Sequence, residues 1–473
     1  MSQATDYDAD VVVIGSGPGG YVAAIRAAQL GGKVVCVEKD PQGWGGVCLN
    51  WGCIPTKTLI ASAERLQAAR DAARLGVLTG DVSFDFARMM ARKDKVVQTL
   101  RGGVQALLKS NKVRAVVGTA RLMDPHTVAV ALPDGNTETL RTRTVIVATG
   151  AEPIVPPIPG LEGDGIWTSN EALVAKEVPA RMHVIGAGAV GLEFAYIYNT
   201  LGTSVTVVEM MPEVLPLADA DVAKELRKSL TRQGITFHLG SKVTAVQRGL
   251  SGLTATVEGS GGKQEIAANV ILVGVGRRPV TGGIGLEALG VEVTKQGITV
   301  NERMETTVPG IYAIGDATGK YQLAHVASHQ GIVAAENIMG HPSTMSYRAI
   351  PSPVFTEPEL ATVGLAEQQA RDAGHDVRVG TFPFRPLGKA MAMDQQEGIV
   401  KVVAEAKYGE VLGVHIVGPH ASDLIHEAVM AIELEATIDE LQKMVHAHPT
   451  LPEAVMEAAL DVNGMSIHKM RNP

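Results

Sequence analysis

One unit of sequence occurs twice in this chain at a constant offset, and that recurrence restricts the fold more than any other feature. The first copy is an apolar run over residues 11–14, then a Gly-x-Gly-x-x-Gly turn at Gly15, Gly17 and Gly20, then a helical stretch closed by Leu30 and Gly31. A second apolar run follows and ends on Glu38. The second copy repeats this order with Gly186, Gly188 and Gly191, then Leu201 and Gly202, then Glu209. Apolar runs bounded by turn signals and joined by a helical stretch read as parallel strand, helix, strand. The glycines permit a tight turn and let backbone approach a pyrophosphate, whose charge meets the helix N-terminus. The closing glutamate is placed to accept a hydrogen bond from a ribose hydroxyl. A single such turn says little, because any strand-to-helix turn favours glycine. Two in register, each with its strands, helix stop and acid, predict an α/β fold with two Rossmann-like dinucleotide-binding domains. The chain binds two nucleotides, or one nucleotide twice.

The remaining sequence supplies boundaries. Residues 143–150 form an apolar strand ending in Thr149 and Gly150, and residues 153–160 are proline-rich, a stiff linker. The second unit closes after residues 270–276. Residues 309–316 read as another buried strand, ending on Gly315 and Asp316, with a helix near 324–339. An acid at the carboxyl end of a parallel strand lies where ligands of such sheets bind. An ordinary turn or cap aspartate is an equal reading. From about Tyr347 the texture becomes α+β: an antiparallel hairpin over residues 399–405 and 411–417, then helices near 421–434 and 437–444. Thr437 and Glu440 form a capping box at the start of the last of these.

Composition removes several function classes. At 473 residues the chain is too long for one core. A net charge of −8 without a basic run argues against nucleic acid or anionic membrane as the main partner. No apolar stretch is long enough to span a bilayer. The acidic opening, residues 1–10, reads as neither a secretory signal nor an Arg-rich transit peptide. A cytoplasmic location is expected, or a processed mitochondrial matrix form. Three cysteines in so long a chain rule out a disulfide framework and point to a reducing compartment.

Two of those cysteines, Cys48 and Cys53, begin ten residues after Glu38. Such a pair can be a disulfide staple, half a metal site or a redox couple. Beside a nucleotide fold in a reducing compartment, the redox couple leads. A zinc site lacks a second ligand pair, so no metal is expected. Residues that follow Cys53 suggest that the pair opens a helix, whose dipole would lower thiolate pKa values. Thiol chemistry needs a base, and His448 is the candidate, in a run from His446 to Glu453. Pro449 restricts its backbone and permits a cis bond. Glu453 is placed to accept from the other ring nitrogen. Thr450 and Glu453 also make a capping box, which accounts for Glu453 without catalysis.

Residues 45–57, both glycine turns, Gly315 with Asp316, and residues 446–453 together resemble the flavoprotein disulfide reductases, the class I pyridine nucleotide-disulfide oxidoreductases. The likeness covers nearly the whole chain in matching order. It is strongest to the NAD-linked members that oxidise dihydrolipoyl groups. It implies an FAD-binding part at 1–152, an NAD-binding domain at 153–276, a central domain at 277–346 that completes the FAD site, and a dimerisation domain at 347–473. It further implies a homodimer whose active sites combine both chains. The partners would be the lipoyl-bearing acyltransferase or H-protein of 2-oxoacid dehydrogenase or glycine-cleavage complexes.

By similarity, Cys48 meets the substrate and Cys53 lies against the flavin. Lys57 resembles a lysine near the flavin, paired with Glu193, and His448 with Glu453 forms the base. The FAD positions are Gly15, Gly17, Gly20, Glu38, Gly46, Lys57, Ala120, Gly150, Asp316 and Ala324. The NAD positions are Gly186, Gly188, Gly191, Glu193, Glu209, Val243 and Gly276. Glu209 suits the free ribose hydroxyl of NAD and repels the phosphate of NADP. That argues against a glutathione reductase-like enzyme, and the lack of cysteine after Cys53 argues against a mercuric reductase. A flavin-binding scaffold with an unused dithiol is the reading from another class. Val47, Trp51 and Pro452 depart from the pattern. The first two bear on the redox potential of the dithiol and on substrate access to it, and Pro452 favours the capping reading of Glu453.

Overall fold

The structure is a computed structural model that describes residues 7–250 and 252–470. Most of the acidic opening, residues 1–6, therefore lies outside the described residues. The chain divides into two compact units, each assembled from separated segments.

The first unit takes residues 7–58, 88–154 and 276–346. Its centre is a parallel sheet in which the strand Ala9–Ile14 lies between Val34–Glu38 and Thr137–Val147. Val12 faces Val35 on one side and Val145 on the other. Val11, Val12 and Val13 are fully buried. A strand covered on both faces requires a continuous apolar run rather than alternation, which is what these residues supply. Arg114–Val117 extends one edge. Ile311–Ala313 pairs in parallel with Thr137–Val147 and carries Gly315 and Asp316 just beyond its carboxyl end. Thr137–Val147 runs longer than the apolar stretch over 143–150, because its first half pairs antiparallel with Thr127–Ala131.

The helix Pro18–Gln29 packs closely on Ala324–Ile338. A Cβ on Gly331 would sit 2.5 Å from the Gly19 carbonyl oxygen, and one on Gly19 would sit 2.9 Å from that of Ala327. The two helices can approach this closely only because both positions lack side chains. Arg26 and Glu336 close the far end with an ion pair at 2.7 Å.

The second unit takes residues 59–87, 155–275 and 347–473. It holds the second parallel sheet, ordered Thr236–His238, Ser204–Val208, Arg181–Ile185, Val270–Val273 and Ile166–Trp167. It also holds an antiparallel sheet of five strands in which Ile399–Glu405 and Val411–Gly418 are the expected hairpin. Helices Ala421–Glu433 and Glu453–Asp461 pack against that sheet around Phe382, Phe384, Val414 and Ile416. The capping box of Thr437 and Glu440 is formed, with both Glu440 bonds in place.

Within this unit one buried cation joins three segments. Lys401 Nζ lies 3.0 Å from Asp219, 2.6 Å from Asp221 and 2.9 Å from Glu367. Lys401 and Asp219 side chains are each 3% exposed, so the ammonium depends on these carboxylates to be tolerated in the interior. Among the described residues no helix is long and apolar enough to cross a membrane.

Candidate active site

The two glycine turns have the same architecture down to single hydrogen bonds. In the first, Glu38 accepts from the Ser16 N–H at 3.0 Å and its hydroxyl at 2.7 Å, while its other oxygen accepts from the Asp40 N–H at 3.2 Å. In the second, Glu209 accepts from the Ala187 N–H at 2.7 Å and from the Met211 N–H at 2.9 Å. Each glutamate therefore fixes its own glycine loop, a task that ribose recognition alone does not suggest. Each carboxylate oxygen still has lone-pair capacity for a ligand hydroxyl.

The loops fit dinucleotides. The helices Pro18–Gln29 and Ala189–Thr200 begin at Gly17 and Gly188 with no side-chain cap, leaving their first N–H groups directed outward. A Cβ on Gly188 would meet nothing within 4 Å, so the space in front of that helix is open. Gly191 is different, since its Cβ would fall 2.1 Å from the Gly186 oxygen. Gly20 and Gly15 repeat that close approach at 1.9 Å. Gly46 sits against Gly17, where a Cβ would come within 2.4 Å of its Cα. Gly150 and Gly276, each with open space at its Cβ position, immediately precede the paired strands Ala151–Pro153 and Arg277–Pro279 of the first unit. Ala120 is buried on the strand Thr119–Asp124, and Ala324 opens an uncapped helix. Val243 is buried on Lys242–Gly249.

The dithiol lies on two helices. Cys48 sits in Gly46–Trp51, and Cys53 begins Cys53–Asp71. Gly52 joins them; a Cβ there would be 3.0 Å from the Val47 oxygen. Both cysteines are half-buried thiols not joined in a disulfide, close enough to hydrogen-bond. The expected lowering of pKa does not hold for Cys48. Sharing its proton with Cys53 pushes the Cys48 thiol up, burial and the Cys53 charge add to this, and the Lys57 ammonium offsets only part. The short helix contributes too little to reverse it. The pair is thus asymmetric, with Cys48 holding its proton.

Several neighbours escaped the sequence reading. Asn50 donates to the Trp44 carbonyl at 3.1 Å and the Gly46 carbonyl at 2.9 Å, while Arg101 Nε donates to its oxygen at 2.8 Å. Asn50 lies inside the dithiol loop, which was the one signal available; Arg101, fifty-one residues away, gave none. Tyr21 faces Cys48, and burial raises its phenol. Burial also raises the Asp316 carboxyl, against the pull of the Arg277 guanidinium. Arg277 in turn feels the charges of Asp316 and Cys53, although burial lowers it first. Val47 and Trp51 are half-buried.

In the second unit His448 Nδ1 lies 2.9 Å from Glu453 Oε1, and the His448–Pro449 peptide is cis. The capping box expected of Thr450 and Glu453 is not the helix cap. Pro452 takes the cap position, Glu453 begins the helix, and the Thr450 hydroxyl donates to the Ala447 carbonyl at 2.6 Å. Glu453 still accepts from the Thr450 N–H at 2.8 Å through Oε2, leaving Oε1 for the imidazole. His325 and His426 are exposed and His415 is buried. Glu193 is buried and accepts from the Phe355 N–H at 3.1 Å.

Residues 9–331 match the family model described as pyridine nucleotide-disulphide oxidoreductase. The chain belongs to that family. Residues 350–459 match its dimerisation domain. Among curated relatives, dihydrolipoyl dehydrogenase of Thermus scotoductus is 46% identical over 97% of this chain and 98% of its own length. The mitochondrial dihydrolipoyl dehydrogenase of Pisum sativum is 42% identical over 97% of this chain and 92% of its own. Among solved structures, LpdA from Mycobacterium tuberculosis superposes with a TM-score of 0.88 at 31% identity, covering 95% of this chain and 98% of that one. Membership in this oxidoreductase family gives the paired nucleotide turns and the dithiol one common purpose, electron transfer between a disulfide and a pyridine nucleotide.

Proposed function

We propose that this chain has dihydrolipoyl dehydrogenase activity: it oxidises protein-bound dihydrolipoyl groups to the lipoyl disulfide and reduces NAD to NADH. The observation that carries the proposal is the asymmetric dithiol, Cys48 sharing its proton with Cys53 next to a glycine turn built for a dinucleotide. Relatives of that name, at 42% and 46% identity over nearly the full length, support it. FAD and NAD are the cofactors, the first assigned to the turn at Gly15 and the second to that at Gly186.

In the working cycle the pair starts as a Cys48–Cys53 disulfide. His448 takes a proton from one substrate thiol, and the resulting thiolate bonds to the Cys48 sulfur while the Cys48–Cys53 bond breaks. Cys53 leaves as a thiolate. The second substrate thiol then bonds to the first substrate sulfur while its proton passes to the departing Cys48, which leaves as a thiol. The substrate has lost two electrons and two protons, and the cysteine pair has gained the two electrons. Glu453 holds the imidazole in the tautomer that accepts at Nε2 and steadies it when protonated. When bound, FAD supplies the route by which the pair returns its two electrons and NAD receives a hydride. Glu209 holds the second glycine loop in shape, and its carboxylate repels an NADP phosphate.

We assign the dimer a catalytic part: the imidazole of one copy serves the dithiol of its partner. The lipoyl groups reach the site on the acyltransferase or H-protein of a 2-oxoacid dehydrogenase or glycine-cleavage complex. The test is steady-state assay of FAD-loaded protein with dihydrolipoamide and NAD, beside Cys48→Ser. NADH formation that disappears in the variant is the expected result. Wild-type protein that forms no NADH overturns the reading.

A further inference from the structure

Three histidine–glutamate pairs lie close together in the C-terminal segment. His448 pairs with Glu453 at 2.9 Å, His468 with Glu457 at 2.6 Å, and His446 with Glu427 at 3.1 Å. The first two imidazoles are 77% and 70% exposed, but that of His446 is only 5% exposed. Its two ring nitrogens both face acceptors: Nδ1 the Met444 carbonyl at 3.0 Å, Nε2 the Glu427 carboxylate. A neutral imidazole donates from one nitrogen only, so satisfying both acceptors requires the doubly protonated cation. The bond to Glu427 raises the His446 pKa, more than burial lowers it.

His446 stands two residues before His448 on the same loop and anchors that loop to the helix Ala421–Glu433 through Glu427. Its charge reaches the catalytic pair. Burial pushes the Glu453 carboxyl up, but the Thr450 N–H, His448 and then His446 more than offset this. The charged groups that reach His446 are thus Glu427 from one helix and Glu453 from another.

We propose that His446, held by Glu427, is a positioning residue for the His448 base: it fixes the loop and keeps a positive charge beside Glu453. Two consequences follow for the proposed reaction, on which this inference rests. Glu453 stays ionised to orient His448, and the His446 cation opposes the build-up of a second positive charge on the neighbouring imidazole.

Glu427→Gln tests this because it keeps the shape and an accepting oxygen but removes the charge that holds the His446 proton. His448 then faces Glu453 without a competing cation. The acid limb of the kcat/KM profile for dihydrolipoamide is expected to move up by about half a pH unit. His446→Gln should move it in the same direction, and Glu427→Asp, which keeps the charge, should restore the wild-type limb. Imidazole carbon NMR supplies a direct reading: His446 is protonated at neutral pH in the wild type and loses that proton at lower pH in Glu427→Gln. A rate loss equal at every pH, with an unmoved limb in Glu427→Gln and His446→Gln, overturns the inference and leaves a packing role. Wild-type protein that never oxidises dihydrolipoamide defeats the underlying activity instead, before any variant is compared.

Discussion

Glu453 divides its carboxylate between two tasks, holding Nδ1 of His448 at 2.9 Å with one oxygen and the Thr450 N–H at 2.8 Å with the other. One residue thus fixes the entry to a helix and orients an imidazole at its start. Glu453→Gln should impair both, since the amide presents only one accepting oxygen. His448→Gln removes the base alone. Dihydrolipoamide oxidation should fall about 10²–10⁴-fold in His448→Gln, with NADH-driven reduction of ferricyanide retained. Equal loss of both activities would remove His448 from the proton-transfer step.

The shared proton of the dithiol makes a second expectation. Cys48 is held far above the ordinary thiol range, chiefly by its hydrogen bond to Cys53. A raised thiol pKa means the neutral form persists as pH rises. In reduced protein, thiolate absorbance should therefore show no ionisation of Cys48 at the pH of an ordinary thiol. Cys53→Ser removes the neighbouring sulfur and should bring Cys48 back toward ordinary values, aided by Lys57. Alkylation rates measured against pH check this. Ordinary titration of Cys48 in the reduced wild type would contradict the asymmetry.

The nucleotide units were legible because their chemistry is local. Gly15 to Glu38 and Gly186 to Glu209 each hold strand, turn, helix and acid within one short stretch, and the register followed from the repeat. The nearness of Cys48 to Cys53 and the contact of His448 with Glu453 were legible for the same reason. What lay hidden depended on distant residues meeting. Arg101 on Asn50, Arg277 near Asp316, and Lys401 among Asp219, Asp221 and Glu367 join positions with no sequence relation. The pKa of Cys48 was misjudged by weighing a helix terminus over a neighbouring sulfur. Thr450 and Glu453 had the spacing of a capping box, but Pro452 moved the helix start past it.

Lys401 offers a stability test. Its Lys401→Met variant leaves Asp219 buried and unpaired, which costs about 3–5 kcal/mol. The thermal midpoint should drop clearly, by calorimetry on the FAD-loaded protein. Lys401→Met combined with Asp219→Asn should recover much of the loss, because the remaining carboxylates are partly exposed and asparagine still caps the helix Ala220–Arg232. A double variant no better than the single one would show that the lysine acts through packing of its stem.

Glu357 predicts a pH dependence of opposite sense to most carboxylates. Burial, with Glu64, Glu359 and Glu397 adding repulsion, pushes its carboxyl up to about 7 from 4.5. A carboxyl raised on folding binds its proton more tightly in the folded state. Its favourable contribution is complete below 4.5 and is lost as pH rises through about 7. Above that pH a buried charge must be carried among like charges. Glu357→Gln, neutral at every pH, should therefore raise the thermal midpoint at pH 8 and change it little at pH 5.

The glycine loop of the second unit separates folding from binding. Gly188 has a φ of −77° and open space at its Cβ, so alanine fits without strain. Gly191 has the Gly186 oxygen 2.1 Å from its Cβ position. Gly191→Ala must therefore shift the loop or the helix, and should lower the thermal midpoint. Gly188→Ala should leave the midpoint unchanged while placing a methyl group where the uncapped helix receives a pyrophosphate. Its expected signature is a KM for NAD raised about tenfold or more, with the same affinity for dihydrolipoamide. An unchanged KM for NAD in stably folded Gly188→Ala would move the pyrophosphate away from this turn and detach the second glycine motif from nucleotide binding.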